Sequence, residues 1–283
     1  MFDFTFSSYM SLIDPASLTV TLGPIFFFAL ALTVAAKSET IFSFIRQSIA
    51  YYFHICLLTA LPLGLAWTSL GMFLMLIRHN LEGDILEADI QSASGIMLLT
   101  AVYAGILFGL GILAKKRGSF NSAPQLTGWG FFLPLVGLFA IQVYTILLAG
   151  GAQVFLAMFD IDFLGIPLLF LLGFFILSYL QNRNIAIALE QSSALVTCLA
   201  VIVTLCFWFF ASSNANQLVG ITKLDAVMYG TLNMHWGCLL FAVSQLMKLG
   251  PCYEDKEYEI PEALKYLVEA CTFFIFLVFT PRF

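Results

Sequence analysis

From Gln47 to Ile77 the chain carries no Asp, Glu, Lys or Arg. That run of about 31 residues exceeds the ~20 that cross the ~30 Å hydrocarbon core of a bilayer as a helix. In hydrocarbon each backbone N–H and C=O must find its partner inside the protein, and a helix does this within one segment. The rest of the chain agrees: 61% of its 283 residues are hydrophobic and 10% are charged, against roughly 25% charged in soluble domains. The sequence therefore predicts an all-α, polytopic membrane protein, one membrane domain over 1–283. Apolar runs between charged breaks give about eight transmembrane helices, near 16–36, 47–77, 92–114, 129–150, 163–181, 191–212, 226–247 and 262–280.

The distribution of basic residues sets the expected orientation. With the N-terminus outside, Lys37, Arg46, Lys115, Lys116, Arg117, Arg183, Lys248, Lys256 and Lys265 fall on the cytoplasmic side. Arg78, Lys223 and Arg282 fall outside. "RHNLEGDILEAD" is then an acidic external loop and "AKKRG" a basic internal one. The N-terminal "MFDFTFSSYMSLIDPASL" lacks the basic start of a signal peptide. Asp14 followed by Pro15 reads as an N-cap and first-turn proline. A bacterial inner (plasma) membrane is the expected location.

The second run is long for a bilayer, about 46 Å as a straight helix, so it tilts, kinks at Pro62 or projects into the cytoplasm. Ala60, Gly64 and Thr68 lie on it at four-residue spacing, with Gly71 close by. Ala101, Gly105 and Gly109 repeat the spacing on the third run. Such ridges let helix backbones approach closely in lipid. Thr68 lies about 14 Å below Ile77, and Thr100 about 15 Å below Ile90, at 1.5 Å per residue. Two hydroxyls on neighbouring helices thus reach the same depth, where they line a polar path or bond to their own helices.

The stretches "LGLAWTSLGM" (63–72) and "SGIMLLTAVYAGIL" (94–107), with the acidic loop between them, resemble the paired pore helices of the MotA/TolQ/ExbB proton-channel family. The match covers about 55–115 and rests on Thr68, Gly71, Thr100, Ala101 and Gly105; residues 129–280 form an additional helical bundle outside it. The resemblance implies a subunit of an ion-driven, H+ or Na+, channel or stator-like energising complex. Several copies would surround a single-span partner bearing an intramembrane Asp, with Thr68 and Thr100 flanking that carboxylate. Tyr103, which the family pattern does not supply, would pack the ring with the glycines and is a further ion-path candidate. The family's large cytoplasmic region is missing here, where only "KSETIFSFIR" stands.

Other residues point less far. In "IPEALKYLVEACTFFIFLVFTPRF", Glu269 would lie about 16 Å below the outer surface if the last helix spans. A carboxylate at that depth is a functional candidate; otherwise it sits at the inner interface, paired with Lys265. A self-contained transporter or ion-translocating subunit using Glu269 is thus a second reading, and a non-transporting scaffold or assembly factor a third. His54, His79 and His235 fall at different depths and are expected as core or interface residues, with no shared haem or metal. The cysteines read as small core residues. No nucleophile triad, phosphate loop, dinucleotide fingerprint or nucleic-acid surface appears. The sequence predicts no enzyme activity and no cofactor.

Overall fold

The computed structural model describes residues 15–37, 40–82, 87–116, 124–212, 223–250 and 261–279. Asp14, Arg117, Lys256 and Arg282, used above for the first cap and the orientation, lie outside the described residues, as does part of the acidic loop. Every regular element among the described residues is a helix: α1 (Pro15–Ala35), α2 (Ile41–Glu82), α3 (Glu87–Lys116), α4 (Trp129–Ala157), α5 (Ile161–Asn182), α6 (Ile185–Ser212), α7 (Lys223–Met247) and α8 (Glu262–Phe279). Six of them, α2 to α7, are long and apolar enough to cross a membrane. The apolar part of α1, Thr19–Ala35, is shorter, and α8 carries Glu262, Lys265 and Glu269 in its first half.

Local chemistry moves several boundaries. α2 is one helix of 42 residues that continues through Pro62. It starts before the uncharged run because Thr40 and Ser43 cap it reciprocally. Thr40 Oγ1 accepts the Ser43 N–H at 3.2 Å and Ser43 Oγ accepts the Thr40 N–H at 3.1 Å, which satisfies donors that a helix start leaves open. α6 starts at Ile185 because Asn184 Oδ1 accepts the N–H of Ala186 at 2.9 Å and of Ile187 at 3.3 Å. That cap draws Glu190 into a helix. α4 is broken at Gly151, whose φ of 69° and ψ of −169° belong to a region open essentially to glycine alone.

α2 and α7 form the centre. α3 lies along α2, with Gly64 against Ala104 and Gly111 against the α2 backbone, where a Cβ would stand 2.8 Å from Leu57 N and 2.9 Å from Phe53 O. α6 lies along α7, with Thr197 over Gly237 and Thr204 over Gly230. α1 packs on α2 and α4, and α5 on α6 and α7. α8 rests mainly on α6 and meets α7 where Cys238 Sγ and Cys271 Sγ stand 3.4 Å apart. Cys56, Cys238 and Cys271 are buried and Cys206 is exposed.

Apolarity runs opposite to that of a soluble protein. α7 is the most deeply covered span and the least apolar of the six, while α5 is the least covered and strongly apolar. Its face carries Leu169, Ile176 and Leu177 outward. Polar side chains collect inside, among them Thr68, Ser69, Gln142, Glu190, Asn233, His235 and Gln245. Most interior hydroxyls bond to the carbonyl one turn back on their own helix, as Thr59, Thr204 and Thr231 do. Groups that reach across between helices therefore stand out.

Candidate functional site: a polar centre on α7

The α2–α3 seam brings the two sequence-predicted threonines together. Thr68 Oγ1 and Thr100 Oγ1 lie 2.6 Å apart, both buried. Thr68 Oγ1 also donates to Gly64 O at 2.9 Å. With that proton committed, Thr100 is the donor between the hydroxyls. Tyr103, one turn along α3, is half-buried.

The small residues divide between two faces. Ala60 and Gly64 are in the interior, and Gly64 takes the close approach of α3. On α3, however, the residues that meet α2 are Thr100, Ala104 and Gly111. Gly105 and Gly109 face away, and a Cβ on either would meet nothing within 4 Å. Their expected packing role in this seam is corrected accordingly: the ridge was read one residue out of phase. Ala101 and Gly71 are half-buried beside the seam.

Glu269 does not point inward. Its side chain is 61% exposed on the outer face of α8, 3.9 Å from the equally outward Lys265. The arrangement is that of a surface i,i+4 pair.

His235 holds the centre. Its side chain is buried on α7, with Nδ1 2.7 Å from Ala66 O on α2 and Nε2 2.8 Å from Gln142 Nε2 on α4. A carbonyl only accepts, so Nδ1 carries the proton. The Gln142 amide N–H then donates into the Nε2 lone pair, and the imidazole is neutral. Ser69 Oγ donates to the same Ala66 carbonyl at 3.0 Å. Gln142 Oε1 and Trp67 Nε1, both buried near this level, have no protein partner. Ala66 lies about 16 Å along α2 from Ile77, and His235 about 18 Å along α7 from Lys223. Within the apolar stretch Leu224–Met247 of α7 the imidazole stands about midway.

A second cluster closes the other end of α7. Glu190 of α6 accepts from Lys248 Nζ and, at 2.9 Å, from Gln245 Nε2. Both charged side chains are about nine-tenths covered. Gln245 lies about 15 Å along α7 from His235. His54 is buried on α2, about 18 Å along the helix from Ala66, so the two buried histidines cannot ligate one metal. No cluster of metal-ligating side chains occurs among the described residues.

Gln142, Glu190 and Gln245 were not singled out from the sequence. Glu190 falls one residue before the sixth apolar run, and only the Asn184 cap places it inside a helix. Gln142 had a readable signal. It is the lone amide in the fourth run, at the four-residue spacing of Pro134, Leu138 and Ile146, which mark the covered stripe of α4.

Comparison with protein-family models, curated proteins and solved structures finds no match to this chain.

Proposed function

We propose that the chain is a multi-pass membrane subunit that translocates protons, or a small cation such as Na+, through its own polar interior. The carrying observation is His235, an imidazole bridging α2 and α4 from midway along the most buried yet least apolar span. Ionisable groups inside a membrane bundle mark ion paths and proton relays by default. An imidazole can relay a proton by taking one at Nε2 and releasing one from Nδ1. Here the Gln142 amide must first leave Nε2, and water must stand at both nitrogens, because neither the amide N–H nor the Ala66 carbonyl exchanges a proton. The unpartnered Gln142 Oε1 supplies an acceptor for water or an ion beside it. Glu190, Gln245 and Lys248 are the polar groups toward the cytoplasmic end in the N-out orientation, which with a bacterial inner membrane remains part of this proposal.

A stator-like subunit is the second reading. It is supported by the outward, uncovered Gly105 and Gly109 on α3, a surface that accepts another helix closely. Its partner carboxylate, however, has no open approach to Thr68 and Thr100, which are covered within one chain. The self-contained reading is therefore preferred, with His235 in the place first given to Glu269.

The deciding experiment is reconstitution in liposomes enclosing a pH-sensitive dye, with a potassium diffusion potential imposed. The expected result is a proton flux above that of empty vesicles, lowered at least tenfold by His235→Leu. Flux equal in the parent and His235→Leu would end the relay reading. No flux in liposomes, with flux restored by a single-span partner, would favour the stator-like subunit.

A further inference from the structure

α6 seats tightly on α7, with Thr197 over Gly237, where a Cβ would stand 2.0 Å from the Thr197 hydroxyl. α5 lies along α6 but does not close on α7 in the same way. Between the three helices is a cavity of about 320 Å³. Leu164, Leu168 and Leu171 of α5, Val196 of α6, and Trp236 and Leu240 of α7 wall it. Close-packed interiors hold few voids larger than a water molecule, so a space of this size calls for an occupant.

The chemistry of the walls selects that occupant. Asn233 is the one amide among the lining residues, and its Nδ2 already donates to Tyr229 O at 2.8 Å. The Trp236 indole N–H is likewise taken, by Met158 O. A buried water needs about two to four polar partners, and an apolar cavity of ~150 Å³ stays dry and takes benzene instead. The α7 wall, Asn233 to Leu240, lies midway along the apolar stretch Leu224–Met247, a depth at which the surrounding medium is hydrocarbon. The cavity opens toward that medium, since Phe159 and Leu168, both lining residues, are exposed. No charged side chain lines it, so it is suited to a chain and not to a headgroup. We propose that this cavity seats one acyl chain of a bilayer phospholipid, packed against Trp236. The chain takes the place of direct α5–α7 packing. Trp236 also stands edge-on to His235, with ring centres 5.5 Å apart, so the chain lies one residue from the polar centre.

Tryptophan fluorescence provides the test, because bromine on a lipid chain quenches an indole it touches. One chain keeps Trp236 alone and one keeps Trp67 alone, with the other tryptophans replaced by Phe. A third carries Leu169→Trp as its one tryptophan. Leu169 is exposed and adjoins Leu168, while Trp67 is buried, so the two report the free bilayer and the closed interior. Each chain is reconstituted in phosphatidylcholine brominated at mid-chain, then extracted into lipid-free detergent. The Leu169→Trp chain is expected to regain its emission on extraction, while Trp236 stays at least twofold quenched and Trp67 is quenched at neither stage. Val196→Phe and Leu171→Phe enlarge two wall side chains, and each should free Trp236 of the retained quenching; two positions are used in case one variant fails to fold. Native mass spectrometry of the extracted parent should show one added phospholipid, absent from both variants. Recovery of Trp236 together with the Leu169→Trp chain would mean that lipid only passes over the surface, and the inference falls. It falls equally if Trp236 is as unquenched as Trp67 in vesicles, or if both enlarged variants keep the quenching. A retained mass of another apolar molecule would overturn the acyl-chain assignment. None of these measurements uses ion flux, so the site stands or falls apart from the translocation reading.

Discussion

Gly64 on α2 and Ala104 on α3 lie so close that a methyl group on Gly64 would overlap the Ala104 side chain and stand 3.0 Å from Thr100 O. The opposing atoms include backbone, which cannot swing aside. Gly64→Val should therefore destabilise the bundle by about 1–3 kcal/mol through overpacking, read as a lower unfolding midpoint in mild detergent. Gly111→Ala, aimed at the α2 backbone, should do the same.

Gly105→Leu is the matched contrast. No atom lies within 4 Å of its Cβ position, so the isolated chain should keep its stability. Cross-linking in vesicles before and after the substitution tests the α3 face. Unchanged oligomeric state is expected of a self-contained subunit, while loss of an oligomer would support the stator-like ring.

The Glu190–Lys248 pair is expected to show the asymmetry of buried ion pairs. Removing one member takes from the other its opposite charge in the pair, at a cost of up to ~3–5 kcal/mol. Glu190→Gln and Lys248→Met should each lower the unfolding midpoint sharply. Replacing both residues by Met should recover much of the loss, because neither charge is then left without the other. A double variant as unstable as the worse single would show that the cluster acts through more than this pair.

His235 and Gln142 should be energetically coupled. His235→Leu leaves the Gln142 amide without its acceptor, and a stranded buried donor costs ~1–3 kcal/mol. A double-mutant cycle with Gln142→Leu should give a coupling of ~0.5–3 kcal/mol in thermal unfolding. A coupling near zero would mean that the two side chains separate in the bilayer.

Thr68→Val and Thr100→Val discriminate between the two functional readings. If ions pass by way of His235, both variants should keep proton flux within a few-fold of the parent. A loss of tenfold or more in the same liposome assay would return the path to the α2–α3 seam. Glu269→Gln should leave flux unchanged and stability within ~0.5 kcal/mol, as exposed substitutions commonly do.

The fold was legible where charge and length decide it. Uncharged runs marked eight candidate spans, of which six are long and apolar enough to cross among the described residues, and equal depths below Ile77 and Ile90 paired Thr68 with Thr100. The phase of α3 was not legible. Glycine at four-residue spacing gives a ridge without saying which helix it faces, and Thr100–Ala104 and Ala101–Gly105 satisfy the same rule. The break at Gly151 was hidden for a similar reason, since glycine is frequent in membrane helices that stay straight. Glu269 drew attention as the lone acid beyond Lys265, yet the sequence alone does not fix which way a side chain points. The bridging residues, Gln142 and His235, sit on different helices and become a site only through the packing of α7 between α2 and α4.

The polar character of α7 also bears on how the chain is made. A segment carrying Asn233, His235, Ser244 and Gln245 is a poor candidate for leaving the translocon alone, because each polar group raises the cost of partitioning into lipid. Its predecessor α6 is the most apolar of the six spans, and Thr197 and Thr204 fit over Gly237 and Gly230. The two segments are suited to enter the bilayer as one hairpin, α6 solubilising α7 until α2 covers the rest. A polyleucine segment in place of α6 would itself insert more readily. It would nonetheless strand α7 at the membrane surface, since leucine side chains cannot seat over those glycines.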